Sequence, residues 1–349
     1  MAAFLIMISF ALFGAGRIGQ VHAYNLKASH KGCLKYVIDV NERAATKLAD
    51  SLGAKAVSCE VGLADPEVDA VIIASATNTH AELIRASAKA RKAIFCEKPL
   101  DTDVARSRAA LDEVKQNGVP FFLAFNRRFD PEYGALRRAL VSGVIGKPEL
   151  ILITSRDPEP PPLEYLLSSE SIFRHMTIHE IDVFRWLTGE EPVEVYATGS
   201  SFVYPELSHG PDTAVVTLKS SSGVIGIINN VLRSSFGYDQ RLEVQGERGM
   251  LQVQNRESSK LVVADRSGVR SAGPQNSFIE RFAEAYKAEL NVFISNLCSG
   301  SNMQPDGHDG LRASLIAECV ERAYQTGTSV SVPDSDDFSS SSRPIVLDG

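Results

Sequence analysis

Cysteine is scarce and scattered in this chain: Cys33, Cys59, Cys96, Cys298 and Cys319 are odd in number and form no CxxC pair. That argues against a disulfide framework or a cysteine-built zinc site and points to reduced thiols in a cytosolic protein. Dense runs of lysine or arginine are missing too. With 36 basic against 43 acidic residues and a formal charge of −7, nucleic acid and anionic membrane surfaces are not expected partners. No apolar run is long enough to span a bilayer. The opening MAAFLIMISFALF lacks a basic segment and runs straight into a glycine turn. Its second half therefore reads as a buried strand rather than a targeting segment, with Met1 to Met7 as an extension. Internal repeats and an HExxH pair are also absent.

What the chain does have is length for two domains, at 349 residues, and an ordinary globular balance of 44% hydrophobic and 23% charged residues. Its organising stretch is ISFALFGAGRIG, Ile8 to Gly19. An apolar strand ends in Gly14, Gly16 and Gly19, and a helical pattern follows. In such a turn Gly14 allows the tight bend, Gly16 lets the backbone approach a pyrophosphate, and Gly19 lets the helix pack against its strand. The helix N-terminus offers N–H groups and a positive dipole end to the anion. Asp39 ends the second strand, twenty residues after Gly19. There a carboxylate can accept from both ribose hydroxyls and repel a 2′-phosphate, which favours NAD over NADP. Arg43 stands close by and reads as a solvated helix arginine.

Strands and helices alternate as far as Phe125, which predicts a parallel sheet with right-handed crossovers. The expected strands are Ile8–Phe13, Leu34–Asp39, Asp69–Ser75, Ala93–Cys96 and Pro120–Phe125, with helices over 42–52, 80–90 and 104–117. Beyond Asn126 a helix (132–142), a strand (150–155), a proline-rich loop (157–162) and a helix (173–187) precede closely spaced strands between 193 and 263. That spacing predicts hairpins and an antiparallel sheet. Helices over 278–297 and 311–324 close the chain, followed by a tail from 333 expected to be disordered. The class is α/β: a Rossmann domain over 1–126, an α+β domain with a large, mostly antiparallel open sheet over 127–332, and the tail over 333–349.

Two loops lie at the ligand-facing edge of the parallel sheet: Ala74–His80, ASATNTH, and Glu97-Lys98-Pro99. A lysine before a backbone-fixing proline reads there as a positioned ammonium. Together GAGRIG with Asp39, ASATNTH, EKP, FNRRFDP (125–131), SRDPEPPP (155–162) and HMTIHEID (175–182) resemble the Gfo/Idh/MocA oxidoreductases, nearest the inositol 2-dehydrogenase branch. The resemblance implies a metal-free, NAD(P)-dependent dehydrogenase of cyclic polyols or sugars, cytoplasmic, forming a homodimer or homotetramer. By position it implies Lys98, His179 and His175 as catalytic residues. Coenzyme contacts would fall on Gly14, Gly16, Arg17, Ile18, Gly19, Asp39, Ala76, Thr77, Asn78, His80, Glu97, Lys98 and Asn126. Substrate contacts would fall on Lys98, Arg127, Asp157, His175, His179 and Tyr238.

The chemistry is coherent. A secondary alcohol needs a base for its proton while hydride leaves carbon, and histidine titrates in the useful range. A nearby ammonium stabilises developing alkoxide charge. The chain departs from the family where His175 replaces an aspartate and Glu170-Ser171 replaces two glycines. Weakened or redirected polyol oxidation is the expectation that follows, and a non-catalytic, coenzyme-binding sugar sensor is the alternative. His175 and His179 as metal ligands, with Asp182 or Asp157, form a further alternative. Asp182 otherwise braces its helix, and Tyr165, Phe173, Phe184 and Trp186 read as core.

Overall fold

The computed structural model describes residues 7–161, 163, 171–205 and 210–334. Glu170, Tyr165 and nearly all of the tail lie outside the described residues. The first sheet holds β1 (Ile8–Phe13), β2 (Gly32–Ile38), β3 (Lys55–Ala56), β4 (Ala70–Ile73), β5 (Ala93–Glu97) and β6 (Phe121–Ala124). Its order is β3-β2-β1-β4-β5-β6, parallel throughout. This is the dinucleotide-binding arrangement, with the strand order reversing between β1 and β4. Every residue of β4 is buried, as a strand covered on both faces requires. Helices α1 (Arg17–Lys27), α2 (Glu42–Leu52), α3 (Cys59–Ala64), α4 (His80–Lys89) and α5 (Val104–Asn117) make the crossovers. Asn41, Ser58 and Asp103 start three of them by accepting backbone N–H groups that no helical carbonyl reaches. Two-residue β3 and short α3 were too brief to show in the sequence pattern.

A short 3₁₀ turn, Asn126–Phe129, leads from β6 into α6 (Pro131–Val141). Asp130 caps that helix, accepting from Glu132 and Tyr133 with Pro131 in the first turn. The second sheet contains β7 (Pro148–Arg156), β8 (Pro192–Ser200), β9 (Thr213–Ser220), β10 (Ile225–Val231), β11 (Asp239–Gly246) and β12 (Gly249–Val253), with β15 (Val330–Ser331) at one edge. It is antiparallel except that β10 returns parallel to β7. The parallel pair arises because α7 (Ile178–Thr188) follows β7, and β8, β9 and β10 then meander back to pair with it. One face is core, with Ile151, Ile153, Val216, Leu218, Ile228 and Val244 all fully buried.

Three local expectations are corrected. The strand near Leu261 does not join the main sheet. As β13 (Val262–Asp265) it pairs with β14 (Gly268–Ser271) in a separate, exposed hairpin. The helix expected over 278–297 divides at Phe282 (φ −110°, ψ 18°) into α8 (Phe278–Arg281) and α9 (Ala283–Ser299). The last helix, α10 (Gly307–Thr326), starts earlier than its apolar periodicity suggested, because Asp306 and Asp309 form a capping box.

These last helices return to the first sheet. Phe293 of α9 packs on Phe10, Phe95 and Phe122, with ring centroids 5.6–6.2 Å away, and Gly310 of α10 abuts Leu123 and Leu100. Phe173 and Phe184 are core, as expected, and Trp186 carries Arg137 5.0 Å from its ring centre. All five cysteines are free. Among the described residues no helix is long and apolar enough to cross a membrane.

Candidate active site

The glycine turn sits at the switch point, where Gly14 N–H donates to Ile38 and Ala74 N–H donates to Phe13. Gly14 has φ +101°, and a Cβ there would meet the Ala74 carbonyl oxygen at 2.4 Å. A Cβ on Gly19 would stand 1.9 Å from the Gly14 oxygen. Neither position tolerates a side chain. Gly16 is the opposite case: it is exposed and a Cβ would meet nothing within 4 Å. It is therefore open to a bound group, and it precedes the first free N–H groups of α1. Asp39 Oδ2 accepts from Ala15 N–H and Oδ1 from Asn41 N–H, both at 2.7 Å. The carboxylate thus braces the turn, while each oxygen keeps a lone pair for a ribose hydroxyl.

Arg17 is exposed, with its guanidinium carbon 5.6 Å from the Phe278 ring centre. Ile18 packs toward the Tyr238, Phe282 and Tyr286 cluster. Ala76 and Asn78 are exposed beside the turn, and Thr77 is half-buried on a 3₁₀ turn. Their neighbour His80 is different. It is buried with both ring nitrogens against carbonyls, Pro99 at 2.8 Å and Ser75 at 3.1 Å. Desolvation holds its basicity below the ordinary range. The ring latches the loops after β4 and β5 together, so any contribution of His80 to coenzyme binding would run through those loops. Glu97 is likewise turned inward, its carboxylate 2.7 Å from His22 Nε2 on α1.

Lys98 follows β5 and donates from Nζ to the His175 carbonyl at 2.9 Å. His175 lies in a single π-turn, Phe173–Thr177, that opens α7, and His179 lies in the next turn of that helix. Insertions of this kind recur at functional sites, where they re-aim side chains. Burial pushes the His175 imidazole down to about 3, with Lys98 and then Arg17 adding to the effect. His179 is also held well below its ordinary value, first by desolvation and then by Lys98 and Arg127. Both rings are therefore neutral at physiological pH, the form that can accept a proton. His179 Nδ1 is buried without a hydrogen-bond partner among the described residues, and Phe125 packs edge-on against the ring at 6.4 Å.

Asp157 comes from the end of β7, its N–H bonded to the Val231 carbonyl. Burial raises its carboxyl to about 6 against the pull of Arg127, Lys98 and Arg17. Asp157 is thus within electrostatic reach of Lys98, whose charge also acts on His179. Asn126 is buried, and its side-chain oxygen has no hydrogen-bond partner among the described residues. Tyr238 is buried edge-on to Phe282 at 6.2 Å, and its hydroxyl is pushed above its usual range chiefly by burial.

Arg127 departs from expectation. Its guanidinium is buried, paired with Glu180, 3.3 Å from Ser155 Oγ and 5.4 Å from the Phe282 ring centre. Glu180 also accepts from Asn230, which in turn accepts from Thr177. Arg127 is thus a fixed, paired cation whose charge acts on Asp157 and His179. Asp182 is held by Arg128 through two bonds, 2.9 and 2.6 Å, with Arg185 3.9 Å away, and Arg128 also pairs with the capping residue Asp309. It braces α7, as one of its readings anticipated, and its lone pairs are committed away from any ion at the two histidines. Sequence reasoning missed Glu180 and Asn230. The only signal for Glu180 was its place directly after His179.

A family model described as an oxidoreductase family with an NAD-binding Rossmann fold matches residues 8–125, and the Gfo/Idh/MocA C-terminal domain matches residues 133–252. The chain is 41% identical over 323 residues to a myo-inositol 2-dehydrogenase of Thermotoga maritima, covering 91% of this chain and 97% of the relative. The structure of a myo-inositol dehydrogenase from Corynebacterium glutamicum superposes with a TM-score of 0.89 at 36% identity, over 94% of this chain and 99% of that one. That of a scyllo-inositol dehydrogenase from Lactobacillus casei, with bound NAD(H) and scyllo-inositol, gives 0.88 at 26%, over 93% and 99%. With both family models matching in register and relatives aligned nearly end to end, the chain belongs to the Gfo/Idh/MocA family of oxidoreductases with an NAD-binding Rossmann fold.

Proposed function

We propose that the protein oxidises a secondary hydroxyl of a cyclic polyol of the inositol class, with NAD as the preferred coenzyme. The observation that carries this reading is Lys98 at the end of β5 bonded to the His175 carbonyl one turn before His179, with the Lys98 charge acting on both His179 and Asp157. When bound, the nicotinamide supplies the hydride acceptor. Gly14, Gly16, Gly19 and the start of α1 would hold the pyrophosphate and Asp39 the ribose. Lys98 places an ammonium where alkoxide charge develops, in surroundings that strengthen it. Neutral His179 takes the hydroxyl proton, and Asp157 and His175 shape the polyol pocket. The Asp39 carboxylate, fixed by two backbone N–H groups, opposes a 2′-phosphate, which is the physical basis for NAD over NADP.

Relatives named for inositol support the substrate class, since their named reactions need the same hydroxyl chemistry. The open face of the second sheet suits pairing of copies. Val193, Tyr196 and Ile225 are each about two-fifths exposed there, an arrangement consistent with a homodimer or homotetramer.

The test is a steady-state screen with NAD and NADP against inositols, aldoses and their acids. Saturable NADH formation with an inositol isomer is expected, with at least about tenfold preference for NAD in kcat/KM. Tight NAD binding with no turnover across the panel would replace this reading with the sensor.

A further inference from the structure

Behind Lys98 lies a buried group of three ionisable side chains that the reaction above does not use. His22 comes from α1, Glu97 from the end of β5 and Glu289 from α9. One donor atom from each lies within 4.8 Å of the others. His22 and Glu289 are fully buried, and His22 Nε2 meets Glu97 Oε1 at 2.7 Å. Both oxygens of Glu289 lack a hydrogen-bond partner among the described residues. The walls are aromatic: Phe95 and Tyr286 pack edge-on against His22 at 5.0 and 5.9 Å. The ionisable groups facing Glu289 are Glu97 from β5, His22 from α1 and Tyr286 one turn earlier on α9. Arg127 and Tyr238 act on Tyr286 from the second domain.

Two carboxylates cannot both stay ionised in so dry a site without a cation, and neutralisation is the ordinary outcome. Burial and the Glu97 charge both favour the protonated form of Glu289. Glu97 already pairs with His22, so Glu289 is the residue that keeps the proton. As an acid it gains an O–H donor within 4.8 Å of the cluster's ionised acceptor, the Glu97 carboxylate. Glu97 is the last residue of β5 and points toward His22 of α1, so the cluster fixes the backbone from which Lys98, the next residue, reaches the His175 carbonyl.

We propose that Glu289 is a positioning residue: it holds a proton against Glu97, and the resulting acid–carboxylate–imidazole cluster sets Lys98 and the coenzyme helix for hydride transfer. The polyol part of this inference rests on the function proposed above; the coenzyme part does not. Infrared difference spectra of wild type against Glu289→Gln read the proton directly. A protonated carboxyl stretch at neutral pH that the variant lacks is expected, and its absence overturns the proposal. Stoichiometric metal in the purified protein, lost in the same variant, overturns it in favour of a cation.

The positioning role is read from Glu289→Gln, which keeps a neutral donor, and Glu289→Leu, which has none. At matched thermal midpoints the glutamine variant should hold NAD affinity and kcat within about twofold. The leucine variant should lose about tenfold in kcat with little change in polyol KM. Wild-type kcat and NAD affinity in the leucine variant would refute positioning. NAD titration by calorimetry needs no substrate, so a wrong substrate class would leave that arm intact.

Discussion

Around the glycine turn, position is set by backbone against backbone, whereas around Lys98 and His179 it is set by half-buried ionisable side chains. Gly14 and Gly19 allow no Cβ because carbonyl oxygens stand 2.4 and 1.9 Å from where it would be. Such requirements have one solution each. The set of Lys98, Asp157, His175 and His179 is different. Its members are tuned by burial and by one another, and a change at one can be absorbed by the rest. The comparison suggests that coenzyme binding is hard to edit and substrate choice is not. His175, standing where the resemblance implies an aspartate, is the position at which that freedom can be tested.

The largest effect should come from the rigid glycine turn. Gly19→Ala is expected to abolish NAD binding and lower the melting temperature, because α1 cannot keep its approach to Gly14. Gly16→Ala should spare the melting temperature yet weaken NAD binding, since its methyl enters only the open cradle. Calorimetric titration and thermal unfolding of the pair check this; equal stability losses would break the contrast.

In the second region, His179→Gln should reduce kcat by about 10²–10⁴ while leaving NAD affinity unchanged, the usual cost of losing a positioned base. Loss of NAD binding instead would place His179 with the rigid parts.

Next comes a stability effect with a definite sign. The Asp157 carboxyl, raised to about 6 from 3.8, makes the folded protein bind the proton more tightly than the unfolded chain does. Its contribution is full below about pH 4 and is lost as pH rises toward about 6. Asp157→Asn should therefore stabilise the protein by about 1–3 kcal/mol at pH 8 and hardly at all near pH 4. His175 runs the other way. With its imidazole depressed to about 3, stability is lost as pH falls from about 6.5 toward 3. Melting temperatures across pH separate the two, and a flat profile for Asp157→Asn relative to wild type would refute the first.

The smallest change is the most telling for substrate. His175→Asp restores the family carboxylate one turn before His179 and should raise turnover with myo-inositol a few-fold. No gain in kcat with that substrate would mean that the imidazole is not what redirects the enzyme.

The same contrast explains what could be read from the chain alone. Each requirement of the glycine turn is encoded at one position within a short window, so strand, turn, helix and Asp39 were all legible. Gfo/Idh/MocA membership followed from motifs that sit at strand ends. The parallel pairing of β10 with β7 was not legible, because it depends on a return across some seventy residues. Nor was the inward turn of Arg127 and Glu97, since residue type does not say which way a charged side chain faces. The same holds for His80: residue type did not say that its ring would latch two loops together. Glu289 lay in a helix whose periodicity marked it only as one position among many.

The return of α9 to the first sheet gives the division between the two domains an unexpected character. The faces of Phe10, Phe95 and Phe122 that Phe293 covers stay bare until almost the whole chain has left the ribosome. A fragment ending near residue 126 would therefore be an unfinished fold, and it should bind a hydrophobic dye and aggregate where the full chain does not. In evolutionary terms, the coenzyme half cannot be passed to a new partner domain without carrying its distant closing helix along.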